Sequence, residues 1–166
     1  MKPVSQTPTE AADYAVLSAA YGALLAGTAA SARGRAPIPS QEIPALAAAT
    51  FTLSKLIVHE KVETWVRLPF VDETPGGRRP KGRRLRYAMG ELLSCTRCTG
   101  AWSALALVGL RLHSPAAGRA VATVLAASAG NDMLHASFTW LCARASAQEH
   151  AAAQTPEPRS GPRRVA

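Results

Sequence analysis

The sequence has few of the residues from which water-soluble proteins of this size build a core. Its 166 residues include only three each of Phe, Trp and Tyr, and only three cysteines, against 34 alanines. Alanine buries little apolar area, whereas aromatic side chains dominate core energetics, so a large water-soluble core is not favoured. Three cysteines also exclude a disulfide framework.

Motifs that mark common enzyme classes are missing as well. The chain has no glycine pattern of a nucleophile elbow, no GxxxxGK phosphate loop and no HExxH zinc motif. We therefore predict no catalytic residues and favour a non-enzymatic role.

Charge is absent from a long segment near the N-terminus. No Asp, Glu, Lys, Arg or His occurs from Tyr14 to Ala32, and nineteen residues at about 1.5 Å each nearly cross a bilayer's hydrocarbon core. A surface helix of a soluble bundle carries charged residues along one face, and this segment has none. With three further apolar blocks, the sequence predicts an all-α integral membrane protein of three to four transmembrane helices. The predicted spans are about 14–32, 43–58, 96–112 and 120–142.

Two alternatives to this topology remain. One is a soluble bundle of four Ala-rich helices that binds acidic partners through its basic segment. The other is a cleavable signal peptide at the first block, but Glu10 and Asp13 stand where a signal peptide carries positive charge.

Basic residues are distributed asymmetrically around the four predicted spans. Fourteen of the nineteen Lys and Arg residues lie in the two tails and in residues 59–98, and four lie on the opposite side. The positive-inside rule then predicts that both termini are in the cytoplasm. The tails, 1–12 and 144–166, are predicted to be flexible, and the loop is 59–94.

The central loop has two parts. Val62, Trp65 and Val66 share one face at helical spacing, which predicts a short interfacial helix with Trp65 at headgroup level. In segment 78–86, six of nine residues are basic, and we expect it to contact anionic lipid headgroups. Nucleic acid is not favoured as a partner, because no aromatic residue interleaves the run and no nucleic-acid-binding fold accompanies it. A protein partner remains the alternative.

Two stretches of this loop and its flanks carry a family resemblance. ATFTLSKLIVHEKVETWVRLPF, from Ala49 to Phe70, and GELLSCTRCTGAW, from Gly90 to Trp102, resemble the small bacterial membrane-protein family catalogued as domain of unknown function 1360. Some members of that family are labelled sporulation proteins. The resemblance covers roughly Ile43 to Leu141, so the first span lies outside it. It implies a protein of the bacterial inner (plasma) membrane with several spans, and it supplies no reaction.

Several residues that carry the resemblance are predicted to form a structural or interaction motif. They are Arg67, Pro69, Phe70, Glu91, Gly100 and Trp102. The sequence departs from the family pattern at Thr52, where the family usually has Arg, and at Glu60, where it usually has Asp.

The spacing Cys95-x-x-Cys98 places two thiols within one helical turn, which suits thiol–disulfide exchange or half of a zinc site. In the predicted topology Cys142 and His59 lie at the same membrane face, so the four side chains are candidate zinc ligands. The third interpretation is that these residues only pack at helix ends. Zinc is the one cofactor that the sequence suggests.

Polar residues interrupt the last predicted span. Asn131, Asp132 and His135 lie within one turn of each other on a helix, and ionisable groups at membrane depth are candidates for function. A polar contact to a neighbouring helix and a proton or ion relay both remain open.

The sequence thus predicts a small membrane scaffold or accessory subunit with a protein partner in the membrane. The alternative is a membrane thiol-redox or zinc-binding protein centred on Cys95 and Cys98.

Overall fold

A computed structural model describes residues 4–153, and the chain is mostly helical over this range. Its α-helices are α1 (Ala11–Ser31), α2 (Ile43–His59), α3 (Thr64–Arg67), α4 (Leu85–Leu93), α5 (Thr96–His113) and α6 (Pro115–Ala153). Short 3-10 helices occur at Val4–Gln6, Ser40–Glu42 and Lys61–Glu63, and two strands, β1 (Val71–Thr74) and β2 (Gly77–Pro80), lie before α4. The chain divides into two compact units after Gly130.

Helix α1 begins at an acidic capping pattern. The backbone N–H of Glu10 donates to Oδ2 of Asp13 at 2.8 Å, and carboxylates in the first turn complement the helix dipole. Tyr14, Leu17 and Tyr21 are half-buried at helical spacing, whereas most other α1 side chains are exposed. One narrow stripe of α1 therefore packs against the rest of its unit.

Helices α2 and α5 pack against each other in opposite directions. Ser54 lies opposite Gly100, where an added Cβ would be 3.9 Å from the serine Oγ. At the other end Glu42, just before α2, pairs with Arg111 near the end of α5. Small polar and apolar side chains fill the interface, which allows the helices to approach closely. The buried apolar cluster consists of Leu46, Ala49, Leu107 and Ala122, the last from the first part of α6.

Helices α1 and α5 run side by side in the same direction. The rings of Tyr21 and Trp102 meet edge to face with centroids 5.4 Å apart. Seven residues, or about two turns, further along each helix, a Cβ at Gly109 would be 4.0 Å from Oγ1 of Thr28. Because the same sequence spacing separates both pairs, the two helices stay in register from Tyr21 to Thr28.

The hairpin β1–β2 was not predicted from the sequence. Val71 pairs with Pro80 and Thr74 with Gly77, so Pro75 and Gly76 form the turn. Gly77 has φ +119°, a conformation that only glycine adopts readily. The Pro-Gly-Gly signal was present, but strands of four residues without apolar alternation do not stand out in a sequence.

The four predicted spans coincide with helices, but the membrane-spanning part of the prediction needs correction. Within residues 4–153, α1 is the one helix both long and apolar enough to cross a membrane. Helix α2 has only 17 residues, and α5 includes Arg97 and Arg111. Length and apolarity therefore do not support three to four transmembrane helices.

The segment predicted to be an interfacial helix forms the 3-10 turn Lys61–Glu63 followed by the short helix α3. The predicted N-terminal tail contains a 3-10 helix from Val4, and α1 starts at Ala11. Helix α6 continues to Ala153, so the C-terminal tail predicted from 144 begins as a helix. Residues 1–3 and 154–166 lie outside the described part.

Candidate functional site

Arg67 is fully buried at the end of α3 and binds the C-terminal end of α2. Its guanidinium donates hydrogen bonds to the backbone oxygens of Ile57 and Glu60, the latter at 3.1 Å. The last carbonyl groups of a helix have no intrahelical partner and carry partial negative charge. Arg67 therefore satisfies carbonyl groups that would otherwise be buried without a partner.

Glu73 and Arg78 complete an arrangement that we call the arginine clamp, made of Arg67, Glu73 and Arg78. Oε1 of Glu73 accepts from Nε and Nη2 of Arg67 at 3.1 and 2.9 Å and lies 3.2 Å from Nε of Arg78. Arg78 also donates to the backbone oxygens of Val58 and His59. The hydrogen bonds from Arg67 lower the pKa of Glu73 below its ordinary 4.5, against a smaller opposing effect of desolvation. The clamp joins α2, α3 and the hairpin.

Pro69 and Phe70 connect this clamp to the basic segment through their backbones. The oxygen of Pro69 accepts from Nε of Arg86 at 2.9 Å, and that of Phe70 accepts the N–H of Lys81 at 2.8 Å. These backbone contacts hold the segment after α3 against the hairpin and α4, and a motif role for the two side chains stays a prediction.

Most of the basic segment 78–86 is engaged within the protein. Besides Arg78 and Arg86, Lys81 pairs with Asp72 at 2.9 Å. Arg84, with φ +58°, pairs with Glu10 and Asp13. The contacts of Arg84 tie the start of α1 to the start of α4. The other two bases of the segment, Arg79 and Arg83, are exposed.

Cys95 and Cys98 lie at the N-terminus of α5, and their thiols are free. Cys95 is the N-cap, and its Sγ accepts the backbone N–H of Cys98 at 3.4 Å. A hydrogen bond from the Cys98 side chain lowers the pKa of Cys95 below its ordinary 9.0, and the backbone N–H groups of Cys98 and Arg97 act in the same direction against burial. The helix N-terminus thus favours a thiolate at Cys95.

Glu91 and Trp102 border a cavity beside these cysteines. Tyr14 donates its hydroxyl hydrogen to Oε2 of Glu91 at 2.5 Å, which fixes the carboxylate at the α1–α4 contact. The cavity has a volume of about 360 Å³, and Tyr14, Glu91, Cys98 and Trp102 are among its lining residues. Trp102 also borders a second cavity of about 350 Å³, lined mainly by aliphatic side chains of α2, α4 and α5.

His59 lies near the cysteine pair, because its Nε2 is 3.0 Å from Oγ1 of Thr96. Among the described residues, no group of three or more His, Cys, Asp or Glu side chains is arranged to hold a metal ion. The fourth predicted ligand, Cys142, is exposed and belongs to the second unit. Zinc binding by the four residues stays a prediction.

Asn131, Asp132 and His135 occupy one turn of α6 in the second unit. Asn131 and His135 are exposed, and Asp132 is half-buried. The backbone oxygen of His135 accepts a hydrogen bond from Thr139 at 2.9 Å. Their predicted contact with a neighbouring helix stays untested.

Sequence reasoning missed the partners that give the predicted residues their roles. The sequence presents Arg78 and Arg84 only as parts of the basic segment 78–86. Nothing in it assigns a contact to Glu73 or pairs Glu42 with Arg111. The sequence holds only a weak signal for the contacts of Arg84. Glu10 and Asp13 stand at the start of the first predicted span, and the basic segment 78–86 follows much later in the chain. Charge alone did not identify which base meets which acid.

Neither the curated proteins nor the solved structures contain a match to this chain. A family model does match, over residues 45–138, from α2 through the arginine clamp and the cysteine pair into α6. Helix α1 lies outside the matched range, as the resemblance predicted. Because the match covers more than half of the chain, the protein belongs to the family described as Protein of unknown function (DUF1360).

Proposed function

We propose that the protein is a small inner-membrane protein that acts as a non-enzymatic scaffold or accessory subunit. In this proposal α1 crosses the bilayer as the one helix of the described residues with the length and apolarity of a span, and α2, α5 and α6 cross as shorter or less apolar spans, with both termini and the hairpin in the cytoplasm. The observation that supports the proposal most strongly is the exposed, apolar and uncharged surface of α1.

Helix α1 is apolar on its exposed side. Val16 and Leu24 are each 54% exposed and Leu25 is 49% exposed, and no charged residue accompanies them from residue 14 to 32. In water such a surface is unfavourable by about 25 cal/mol for each Å² of apolar area. In a bilayer the same side chains would contact lipid.

The neighbours of α1 support crossing as a group. Since α1 packs along α5 and α5 packs along α2, we expect the three helices to share one environment. Polar groups collect at both ends of α5, at Cys95 and at Arg111 beside Glu42. Sixteen residues of helix separate these ends by roughly 24 Å, somewhat less than the hydrocarbon core of about 30 Å. Long arginine side chains at helix ends accommodate such a difference.

The loop on the cytoplasmic side offers a surface suited to a lipid interface. Val62, Trp65 and Leu68 are 80%, 72% and 57% exposed. Two exposed bases follow in the chain, Arg79 in β2 and Arg83 between β2 and α4. An exposed Trp beside basic residues is typical of the headgroup region of an anionic leaflet.

The second unit supports an accessory role. Helix α6 exposes large apolar side chains from 131 onward, and these would be available to lipid and to a partner helix. They are Met133, Leu134, Phe138, Trp140 and Leu141. An accessory subunit acts through such helix contacts and not through a reaction.

Sided cysteine labelling tests the topology. In full-length protein with its three cysteines changed to serine, Ala36→Cys and Gly76→Cys place single thiols in two exposed loops. We expect a membrane-impermeant maleimide to label Ala36→Cys in intact spheroplasts and Gly76→Cys only after permeabilisation. Labelling of both on the same side, or release of the wild-type protein by alkaline carbonate, contradicts the proposal.

The accessory role is tested separately from the topology. Changing Cys95 and Cys98 together to serine should preserve membrane insertion and the pattern of crosslinked partners in native membranes. Loss of the crosslinked partner from a variant that still inserts contradicts a purely scaffolding role.

A further inference from the structure

The first turn of α5 holds a pair of thiols that the scaffold role does not use. Cys95 precedes the helix in extended conformation, with φ −112° and ψ 108°, and Cys98 is the third helical residue. The N–H of Cys98 points to Sγ of Cys95 at 3.4 Å. The backbone therefore holds the second cysteine over the first, in an arrangement suited to forming a disulfide within one turn.

The two cysteines differ in their surroundings. A hydrogen bond from the Cys98 side chain, aided by the backbone N–H groups at the helix N-terminus, stabilises the Cys95 thiolate and lowers its pKa. Cys98 faces the cavity that Glu91 borders, where burial first, and then the neighbouring carboxylate, disfavour a negative charge on Cys98. Cys95 is thus suited to be the attacking thiolate and Cys98 to remain a thiol until it is needed.

Both thiols are accessible to a small molecule. Each is half-buried rather than enclosed, and Cys98 lines the open cavity of about 360 Å³. This volume lies within the usual range for small-ligand sites, roughly 300–1,000 Å³. The walls are mainly aromatic and aliphatic, with Tyr21 and Trp102 among them and Glu91 as the charged group.

We propose that Cys95 and Cys98 form a thiol–disulfide exchange site for a low-molecular-weight disulfide with apolar, uncharged or cationic substituents. The aromatic walls favour apolar groups, and the carboxylate of Glu91 disfavours anionic ones. This site is independent of the scaffold role.

The exchange proceeds in two balanced steps. The Cys95 thiolate attacks one sulfur of the substrate disulfide, the substrate S–S bond breaks, and one thiolate leaves as the Cys95 mixed disulfide forms. Cys98 then loses its proton, which the departed thiolate accepts, and attacks the Cys95 sulfur, so that the second substrate thiolate leaves. The protein dithiol is oxidised by two electrons to a disulfide. The substrate disulfide is reduced to one thiol and one thiolate, and the thiolate takes up the proton that Cys95 had released to water.

Dithiodipyridine is a suitable probe, because it is a neutral aromatic disulfide whose released thiol is chromogenic. With the full-length protein in detergent at neutral pH, we expect Cys95 to react at least about tenfold faster than Cys142. Peptide mapping should show a disulfide between Cys95 and Cys98 and a mixed disulfide on Cys142. The anionic dithiobis(nitrobenzoate) should show a smaller preference for Cys95 over Cys142.

Three variants sharpen the test. Cys98→Ser should stop at a mixed disulfide on Cys95, Cys95→Ser should lose the fast phase, and the matched control Cys142→Ser should keep both the fast phase and the internal disulfide. The proposal is overturned if wild-type Cys95 reacts no faster than Cys142, or if mixed disulfides persist on both Cys95 and Cys98. The wild-type measurement decides the question even if a variant does not fold.

Discussion

Arg67 donates two hydrogen bonds to a single carboxylate oxygen of Glu73, at 3.1 and 2.9 Å, although the arginine side chain is fully buried and the glutamate side chain is 31% exposed. The same guanidinium binds carbonyl oxygens at the end of α2. One side chain therefore connects α2, α3 and β1, and its burial is tolerated because its guanidinium donates hydrogen bonds to oxygens of Ile57, Glu60, Thr64 and Glu73.

Removal of this arginine should destabilise the fold strongly. We expect Arg67→Met to lower the free energy of unfolding by about 2 to 4 kcal/mol, because the carbonyls of Ile57 and Glu60 lose a donor inside the protein. Chemical denaturation in detergent, followed by circular dichroism, measures the change. The matched control Arg79→Met alters an exposed arginine of the same hairpin and should stay within about 0.5 kcal/mol of wild type. Equal effects of the two substitutions would contradict the role of Arg67.

The pair Glu42–Arg111 predicts a dependence of stability on pH. Nε and Nη2 of Arg111 donate to the two carboxylate oxygens of Glu42 at 2.6 and 2.9 Å. These hydrogen bonds lower the pKa of Glu42 below its ordinary 4.5, against desolvation. A lowered folded-state pKa gives stability that is present above the ordinary value and is lost as the pH falls through the lowered one.

Glu42→Gln isolates this contribution. We expect the variant to be less stable than wild type at about pH 7, and the difference to narrow progressively as the pH falls below 4.5. Thermal unfolding of both proteins at a series of pH values measures the difference. A difference that is constant across that range would show that Glu42 does not act through its charge.

The sequence predicted the helices well because their signal is local. Apolar runs predicted the bounds of α1, α2 and α5 closely and those of α6 in part. The prolines at 37 and 39 separate the first two runs, and charged segments bound the others. The hairpin and α4 were missed, since their stability depends on packing against each other and on α3. In particular, position 90 of α4 requires glycine because Pro80 of β2 packs against it. The sequence does not show that contact.

The sequence identified some residues of the candidate site but none of their contacts. The spacing of Cys95 and Cys98 was evident in the sequence, and the family resemblance selected Arg67 and Glu91. The partners of the latter two are Glu73 and Tyr14, and no periodicity relates Tyr14 to a residue 77 positions away. Charge pairing of this kind is determined by tertiary packing and is therefore not visible in composition or spacing.

Gly90 provides a test of the hairpin packing. A Cβ at this position would lie 2.9 and 3.0 Å from Cβ and Cα of Pro80 and would overlap the backbone oxygen of Phe70. We expect Gly90→Ala to destabilise the protein by about 1 to 3 kcal/mol, despite the better helix propensity of alanine. Gly22→Ala, where nothing lies within 4 Å, is the matched control and should not destabilise. Denaturation of the two variants under one condition compares them.

Substitution of Trp65 should change the contact of the protein with lipid and leave its stability nearly unchanged. Because Trp65 is 72% exposed, we expect Trp65→Phe to change the free energy of unfolding by less than about 0.5 kcal/mol. In vesicles that contain lipids brominated near the headgroup, the quenched share of tryptophan fluorescence should fall in this variant. Trp140→Phe is the control for a different exposed tryptophan. Quenching that is unchanged by Trp65→Phe would place this side chain away from the headgroup region.

Thr52 is the residue at which substitution should stabilise the fold. It is 1% exposed, and its Oγ1 has no hydrogen-bond partner among the described residues. Valine keeps the shape of threonine and removes the buried hydroxyl, so Thr52→Val should raise the free energy of unfolding by about 1 kcal/mol. The matched control is Thr50→Val, which removes a hydroxyl that donates to the backbone oxygen of Leu46 at 2.8 Å and should be neutral or destabilising. A loss of stability in Thr52→Val would mean that this hydroxyl has a partner in the folded protein, such as a bound water molecule, and that the α2–α5 interface depends on it.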